Sequence, residues 1–520
     1  MADRDQAGNA AARGGSRRPA GGRSAAGGGR PGSQGKRRSG ADAGRTGSGD
    51  GRRRGGDPAR QVALDVALAV SERDAYANLL LPELLAQRGL TGRDAALATE
   101  LTYGTLRGRG SYDAVLALCS DRDLATLDPP VREVLRLGAH QLLGTRVAAH
   151  AAVATSVTLV RQRAGPRPAG FVNAVLRRVA TRDLSDWLEI AAPDRASDPA
   201  GYLAVRHSHP RWIVEAFAAA LGEPAAGALA QTEAVLAADN ERPRVHVCAV
   251  PGRADQAELI AAGCDPARWS PYGGYLADGD PAAIPAVADG RAGVQDEASQ
   301  LAAIAVCRAA GHPVASAGPT AGLADSGERW LDLCAGPGGK ARVLAGLASG
   351  PGARLVAAEL REHRARLVRR ATAVAGTAGV VVADGTSPAW RPGAFGLVLA
   401  DVPCTGLGAL RRRPEARWRR GPGDVAGLQA LQRDLLRTAL GSAAPGGVVG
   451  YVTCSPHLAE TREVVAAVLA GTPGTEVLDA PAVLAEVPDL RYPAPDVRFA
   501  QFWPHRHGTD AIFLALLRRG

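Results

Sequence analysis

Asp332-Leu333-Cys334-Ala335-Gly336-Pro337-Gly338-Gly339-Lys340 joins an apolar run, Trp330–Cys334, to a helix-forming stretch, Gly338–Ala348. A glycine-rich turn between strand and helix lets backbone approach a ligand closely, and the helix N-terminus offers N–H donors to it. Outward from this turn the chain alternates regularly. Further strands are expected at Arg354–Ala358, Gly379–Ala383, Phe395–Asp401 and Gly447–Thr453, with late ones near Phe499–Trp503 and Ala511–Leu517. Helices fit Arg361–Val374, Gly427–Leu440 and Ala459–Leu469. Such alternation predicts an α/β, Rossmann-like domain on a doubly wound parallel sheet. Ligands of these sheets lie beyond the strand C-termini at the switch point, where Lys340, Asp384, Asp401 and two cysteines all fall.

The turn lysine is unusual for this chain. Of 62 Lys plus Arg, only Lys36 and Lys340 are lysine. An ammonium on a thin stem differs from a planar guanidinium in shape and hydration, so its retention points to chemistry. The next strand ends at Glu359, 20 residues past Gly339, where a carboxylate can take both ribose hydroxyls. Asp384 closes the third strand, placed for an adenine edge. A nicotinamide dinucleotide site would share this spacing, but the turn is GPGGK rather than G-x-G-x-x-G and lies deep in the chain. S-adenosylmethionine is the better reading. The expected cofactor set is Cys334, Ala335, Gly336, Pro337, Gly338, Gly339, Lys340, Glu359, Arg364, Asp384 and Asp401.

Cys404, in Asp401-Val402-Pro403-Cys404, and Cys454, in Thr453-Cys454-Ser455, each follow an apolar run. Carbon 5 of cytosine is a poor nucleophile until a thiolate adds to carbon 6 and turns the ring into an enamine. A carboxyl group near ring nitrogen 3 stabilises the charge that develops, and a base must then remove the carbon-5 proton and release the thiol. Two cysteines and Asp401 supply these parts, with Lys340 beside them. Cys119, Cys248, Cys264 and Cys307 read as inert core. The seven cysteines show neither CxxC spacing nor an even count, so disulfides and metal are not expected and a reducing cytoplasm fits.

The 520 residues hold ample material for two or three domains. Residues 1–57 are Arg/Gly-rich with few large apolar groups and should be disordered. Residues 1–60 carry a net charge of +9 out of the total +10, so the remainder is nearly neutral and the tail alone suggests polyanions. Residues 58–183 read as six or seven helices and 184–310 as a mixed α/β linker and RNA-recognition subdomain. In that linker, helices are expected at Pro210–Leu221, Ala225–Ala237, Asp255–Ala262 and Glu297–Ala310, with a strand at Arg244–Ala249. Residues 311–328 read as a flexible insertion and 329–520 as the catalytic domain. No apolar run is long enough to span a membrane.

Residues from about 190 resemble the RNA 5-methylcytosine methyltransferases of the Sun (RsmB, Fmu) and nucleolar Nop family. The resemblance rests on the cofactor turn, Asp401-Val402-Pro403-Cys404-Thr405-Gly406 and Tyr451-Val452-Thr453-Cys454-Ser455. Val294-Gln295-Asp296, Arg411-Arg412-Arg413-Pro414 with Trp418, and Gly508-Thr509-Asp510 also match family blocks. It implies Cys454 as nucleophile and Cys404 as the residue assisting product release. Glu359 stands where the family more often has Asp, and Ala341 where it commonly has Thr. Glu100-Leu101-Thr102-Tyr103-Gly104 and Gly170–Arg177 resemble the NusB RNA-binding fold. The pairing implies methylation of ribosomal RNA, most readily 16S, at an unpaired or flipped cytosine by a monomer. Transfer RNA, or a non-catalytic RNA-binding assembly role, stays open. Arg411, Arg412, Arg413 and Trp418 are the expected RNA contacts, because guanidinium and indole planes stack on unpaired bases.

Overall fold

The computed structural model describes residues 57–224, 227–314, 327–350, 352–493 and 495–520. The tail through residue 56 and most of the expected insertion lie outside the described residues. The carboxylate of Asp57 accepts from Ala59 and Arg60 N–H to cap helix Pro58–Arg73, a cap worth about 1 kcal/mol. Six helices follow, namely Ala77–Gln87, Gly92–Arg107, Arg109–Cys119, Pro129–Leu143, Ala149–Ala164 and Ala169–Val179. Their apolar stripes, with Leu101, Val115, Leu135 and Leu176 fully buried, close around a main core, and Val62, Val66, Leu81 and Leu106 form a second cluster.

Four further helices, Leu184–Ala191, Pro199–Arg206, Arg211–Leu221 and Ala230–Ala238, lead to a small antiparallel sheet. It comprises β1 (Val245–Ala249), β2 (Cys264–Pro266), β3 (Gly273–Leu276) and β4 (Ala292–Val294) in the order β2-β3-β1-β4. The sequence reading locates only β1. The other three are three or four residues long, too short to display alternation.

The large sheet contains β5 (Arg329–Asp332), β6 (Arg354–Glu359), β7 (Ala378–Val382), β8 (Phe395–Asp401), β9 (Ala443–Thr453), β10 (Glu476–Leu478), β11 (Ala500–Gln501) and β12 (Phe513–Arg518). Its order is β10-β12-β9-β8-β5-β6-β7, with β11 alongside β12. The five strands β5 to β9 are parallel. The expected all-parallel sheet needs correction, because β12 runs antiparallel to β9 and β10 and β11 antiparallel to β12. The reason is positional. Asp510 lies at the C-terminal edge of the parallel strands, and β12 leaves from that edge and runs back, pairing Phe513 with Thr453.

Both faces of the parallel strands are covered, so β8 reads Leu397-Val398-Leu399-Ala400 without a polar interruption and all four are fully buried. Helices Glu297–Ala309 and Gly339–Ala348 pack on one face, Gly423–Ser442 and Arg462–Leu469 on the other. β5 lies between β6 and β8, so the chain order reverses there and a crevice opens at the strand ends.

Candidate active site

The turn after β5 is a cradle lined by backbone. Gly338 has φ +111°, and a Cβ there would lie 2.7 Å from Ala371 Cβ in helix Glu362–Thr372. A Cβ at Gly336 would stand 2.1 Å from Glu359 Oε2. Arg364 ties the turn to β6 by donating to the Gly336 carbonyl at 2.7 Å, with Nε 3.6 Å from Glu359 Oε2. Glu359 is buried at the end of β6 and accepts from Arg361 N–H. Asp384 lies exposed two residues beyond β7, and its carboxylate closes its own turn by accepting from Thr386 N–H at 2.8 Å and from Thr386 Oγ1. That backbone donor holds its pKa below the usual carboxylate value. Cys334 is half-buried, and burial raises the pKa of its thiol.

Lys340 reaches back from the first turn of its helix and donates to Asp401 Oδ2 at 2.8 Å. Burial works against the ammonium, but the Asp401 charge outweighs it and the lysine pKa is raised. Asp332, at the end of β5, is wholly buried, and neither carboxylate oxygen has a hydrogen-bond partner among the described residues. Burial first and the Asp401 charge second raise its pKa to about 8. At neutral pH it therefore keeps its proton beside the Lys340–Asp401 pair. The sequence reading quotes Asp332 in the motif but gives it no role.

β8 and β9 are neighbouring parallel strands with Asp401 opposite Val452. Their C-terminal extensions consequently emerge side by side, and Cys404 Sγ stands 3.3 Å from Cys454 Sγ. A thiol on Cys404 donating to Cys454 favours the thiolate there, and Lys340 adds to this. Together they outweigh burial and the Asp401 charge, so the Cys454 pKa falls below its ordinary value while that of Cys404 rises well above. Glu460, fully buried, fastens both loops. It accepts from Thr405 N–H at 2.8 Å, Ser455 Oγ at 2.6 Å and Gln432 Nε2 at 3.1 Å, and from Thr405 Oγ1. Gln432 also donates to the Pro403 carbonyl. Sequence reasoning missed this hub, whose signal was one carboxylate six residues past Cys454 at the start of an apolar helix. By contrast, Cys119, Cys248, Cys264 and Cys307 are buried with raised pKa values, caused first by burial.

A family profile described as 16S rRNA methyltransferase RsmB/F matches residues 323–518, and the NusB family profile matches residues 57–181. Putative methyltransferase Rv1407 of Mycobacterium tuberculosis is 52% identical over 467 residues, covering 89% of this chain and 96% of that protein. Ribosomal RNA small subunit methyltransferase B of Pseudomonas putida is 32% identical over 473 residues, covering 88% and 98%. The chain belongs to the RsmB/F methyltransferase family. The crystal structure of PH0851 shares the fold with TM-score 0.71 at 21% identity, covering 89% of this chain and 99% of that one. As an RsmB/F member it is an RNA methyltransferase whose cofactor is S-adenosylmethionine. The turn fits such a group, since a side chain at Gly336 would fill the space beside Glu359, while Gly338 lets the turn pack closely on Ala371.

In this RsmB/F member the arginine block makes contacts within the chain. Arg411 is buried and donates to the Gly508 carbonyl at 2.7 Å. Arg412 grips buried Asp510, with Nε 2.9 Å from Oδ1. Although burial opposes it, that guanidinium lowers the Asp510 pKa, while burial and Asp510 together raise that of Asp296 to about 7. Asp510 N–H also donates to Asp296 Oδ2 at 3.1 Å, so three of the motif blocks meet in one buried network. Trp418 faces Arg109, whose guanidinium lies 5.2 Å from its ring. Only Arg413 of the four expected RNA contacts is exposed, and it lies over the Tyr76 ring. The block is spent on internal contacts because its donors find carbonyls and carboxylates of neighbouring segments within reach. Among the described residues no cluster of His, Cys, Asp or Glu is suited to a metal ion, and no helix is long and apolar enough to cross a membrane.

Proposed function

We propose that the chain methylates carbon 5 of a cytosine in 16S ribosomal RNA through a covalent adduct between Cys454 and carbon 6 of the base. The observation that carries this reading is the pair of sulfurs 3.3 Å apart beside the Lys340–Asp401 ion pair. A methyltransferase acting on oxygen or nitrogen has no need of two thiols at one point.

In this reading Cys334 to Lys340, Glu359, Arg364, Asp384 and Asp401 hold S-adenosylmethionine, which supplies an electrophilic methyl group when bound. Cys454, poised as thiolate, adds to carbon 6. Asp401 faces ring nitrogen 3, and the proton kept on Asp332 lets the carboxyl pair meet the charge that develops there. Lys340 holds Asp401 in place and favours the Cys454 thiolate. Once carbon 5 carries the methyl group, its proton passes to a base, the C–H electron pair reforms the ring double bond and Cys454 leaves as thiolate, a release that Cys404 assists. The target base must be unpaired or flipped to reach both sulfurs. Residues 58–183 serve as an RNA-binding domain and 184–310 as a linker to the catalytic domain 329–520, in a cytoplasmic monomer.

Bisulfite sequencing of ribosomal RNA from a strain lacking the protein, beside its parent, tests the reading. Loss of one methylated small-subunit cytosine is expected. An unchanged ribosomal profile would overturn the 16S assignment and direct the search to transfer RNA.

A further inference from the structure

The segment 402–421, between β8 and helix Gly423–Ser442, carries Cys404 and is gripped from two sides. Toward the catalytic sheet, Gly408 N–H donates to the Cys454 carbonyl at 2.8 Å. Toward the amino-terminal helices, Glu415, 2% exposed, accepts from Ala77 N–H at 3.3 Å. Arg419 donates to the Ala75 carbonyl and lies 4.3 Å from the Tyr76 ring centroid. Between them Arg417 has no exposed surface at all. Its guanidinium donates to the Arg107 carbonyl at 3.0 Å, Asn240 Oδ1 at 2.8 Å and the carbonyls of Ser208 and Asp239 at 3.2 and 2.9 Å.

A guanidinium keeps its proton in a protein, and burying one is costly unless acceptors meet it; both terminal nitrogens of Arg417 are met, while Nε has no partner among the described residues. Arg417 finds its acceptors on three stretches distant in sequence, one of them the end of helix Gly92–Arg107. Withdrawing that helix would take the Arg107 carbonyl from Nη1, leaving it Ser208 and Asn240, and withdrawing helix Ala77–Gln87 would leave buried Glu415 without the Ala77 donor. The course of the loop that presents Cys404 is therefore tied to the seating of the helical domain.

We propose that the amino-terminal helices position the Cys404 loop, with Arg417 as the positioning residue through which they act. This rests on the role of Cys404 in product release given above. The helical domain thus serves turnover itself, and an RNA that shifts these helices also shifts the release step, since the two are linked in one equilibrium.

The test uses the full chain, S-adenosylmethionine and unmodified 16S ribosomal RNA made by transcription, with Arg417→Lys and Tyr76→Ala beside Cys404→Ala. Tyr76 is 47% exposed, so its truncation leaves the fold intact even if Arg417→Lys does not. Single-turnover methyl transfer should persist in both variants. Steady-state kcat should fall roughly tenfold with KM for RNA within about twofold, because a displaced loop slows one step without weakening binding. A protein–RNA adduct stable to denaturing gels should accumulate. An adduct in Cys404→Ala with none in Tyr76→Ala or Arg417→Lys, and unchanged kcat, overturns the coupling alone. No adduct in Cys404→Ala refutes the role of Cys404 itself, and the coupling falls with it.

Discussion

Cys404 and Cys454 are 50 residues apart in sequence, yet their sulfurs stand 3.3 Å from each other. The contact makes the two thiols unequal. The hydrogen bond between them lowers the Cys454 pKa and raises that of Cys404, which makes Cys454 the better nucleophile.

Removing the donor should make this visible without any RNA. In Cys404→Ala, Cys454 loses the hydrogen bond that is the largest cause of its lowered pKa, leaving burial to push the thiol up. Alkylation of Cys454 by iodoacetamide at pH 7.5 should slow several-fold, and its pH profile should move to higher pH. The four core cysteines are protected by burial and give little background. An unmoved profile would show that Cys404 does not activate its neighbour.

Lys340→Met should abolish methyl transfer, by roughly a hundredfold or more, because Asp401 loses its partner and the Cys454 thiolate loses a nearby cation. Lys340→Arg should not restore it. The lysine side chain is only 9% exposed, and a planar fork does not fit a slot shaped for an ammonium. Steady-state rates with tritiated S-adenosylmethionine measure both.

Asp332 gives a pH signature of stability. Its folded pKa of about 8 lies above the ordinary value of 3.8, so the folded state holds a proton that the unfolded state releases. Its contribution falls as pH rises from about 4 to about 8. Asp332→Asn has nothing to titrate there and should gain on the parent protein across that window. Cofactor-free melting curves should show a Tm advantage that is larger at pH 8 than at pH 5. A constant difference would place the ordinary carboxylate at this position.

Glu460→Ala strips the common acceptor from Thr405, Ser455 and Gln432. Leaving these buried donors unpaired should cost roughly 2–4 kcal/mol by denaturant unfolding. Glu460→Gln keeps the volume but sets an amide donor against donors, so it should recover only part of the loss. In either variant kcat should suffer more than KM, since both cysteine loops hang from this carboxylate.

The catalytic half was readable because its elements obey local rules. β8 lies at Phe395–Asp401 as read, since a strand buried on both faces is an unbroken apolar run. Helix ends moved by a few residues, as at Arg361–Val374 against Glu362–Thr372. The short strands β2 to β4 and the antiparallel return of β12 were not readable. Their pairing depends on partners far away in the chain.

Sequence by itself determined the chemistry on offer: a glycine turn with a lysine, carboxylates at strand ends and two cysteines after apolar runs. Those features are local, and spacing along a strand or turn fixes them. Tertiary structure alone decided what each group faces. It set the two sulfurs in contact, left Asp332 buried with its pKa raised, and made Glu460 a fastening for two loops. It also turned Arg411 and Arg412 inward to Gly508 and Asp510, and set Arg417 and Trp418 against Arg107 and Arg109 of the helical domain. A side chain's charge and shape are written in the sequence, but its solvent exposure and its partners are set by the packing of distant segments.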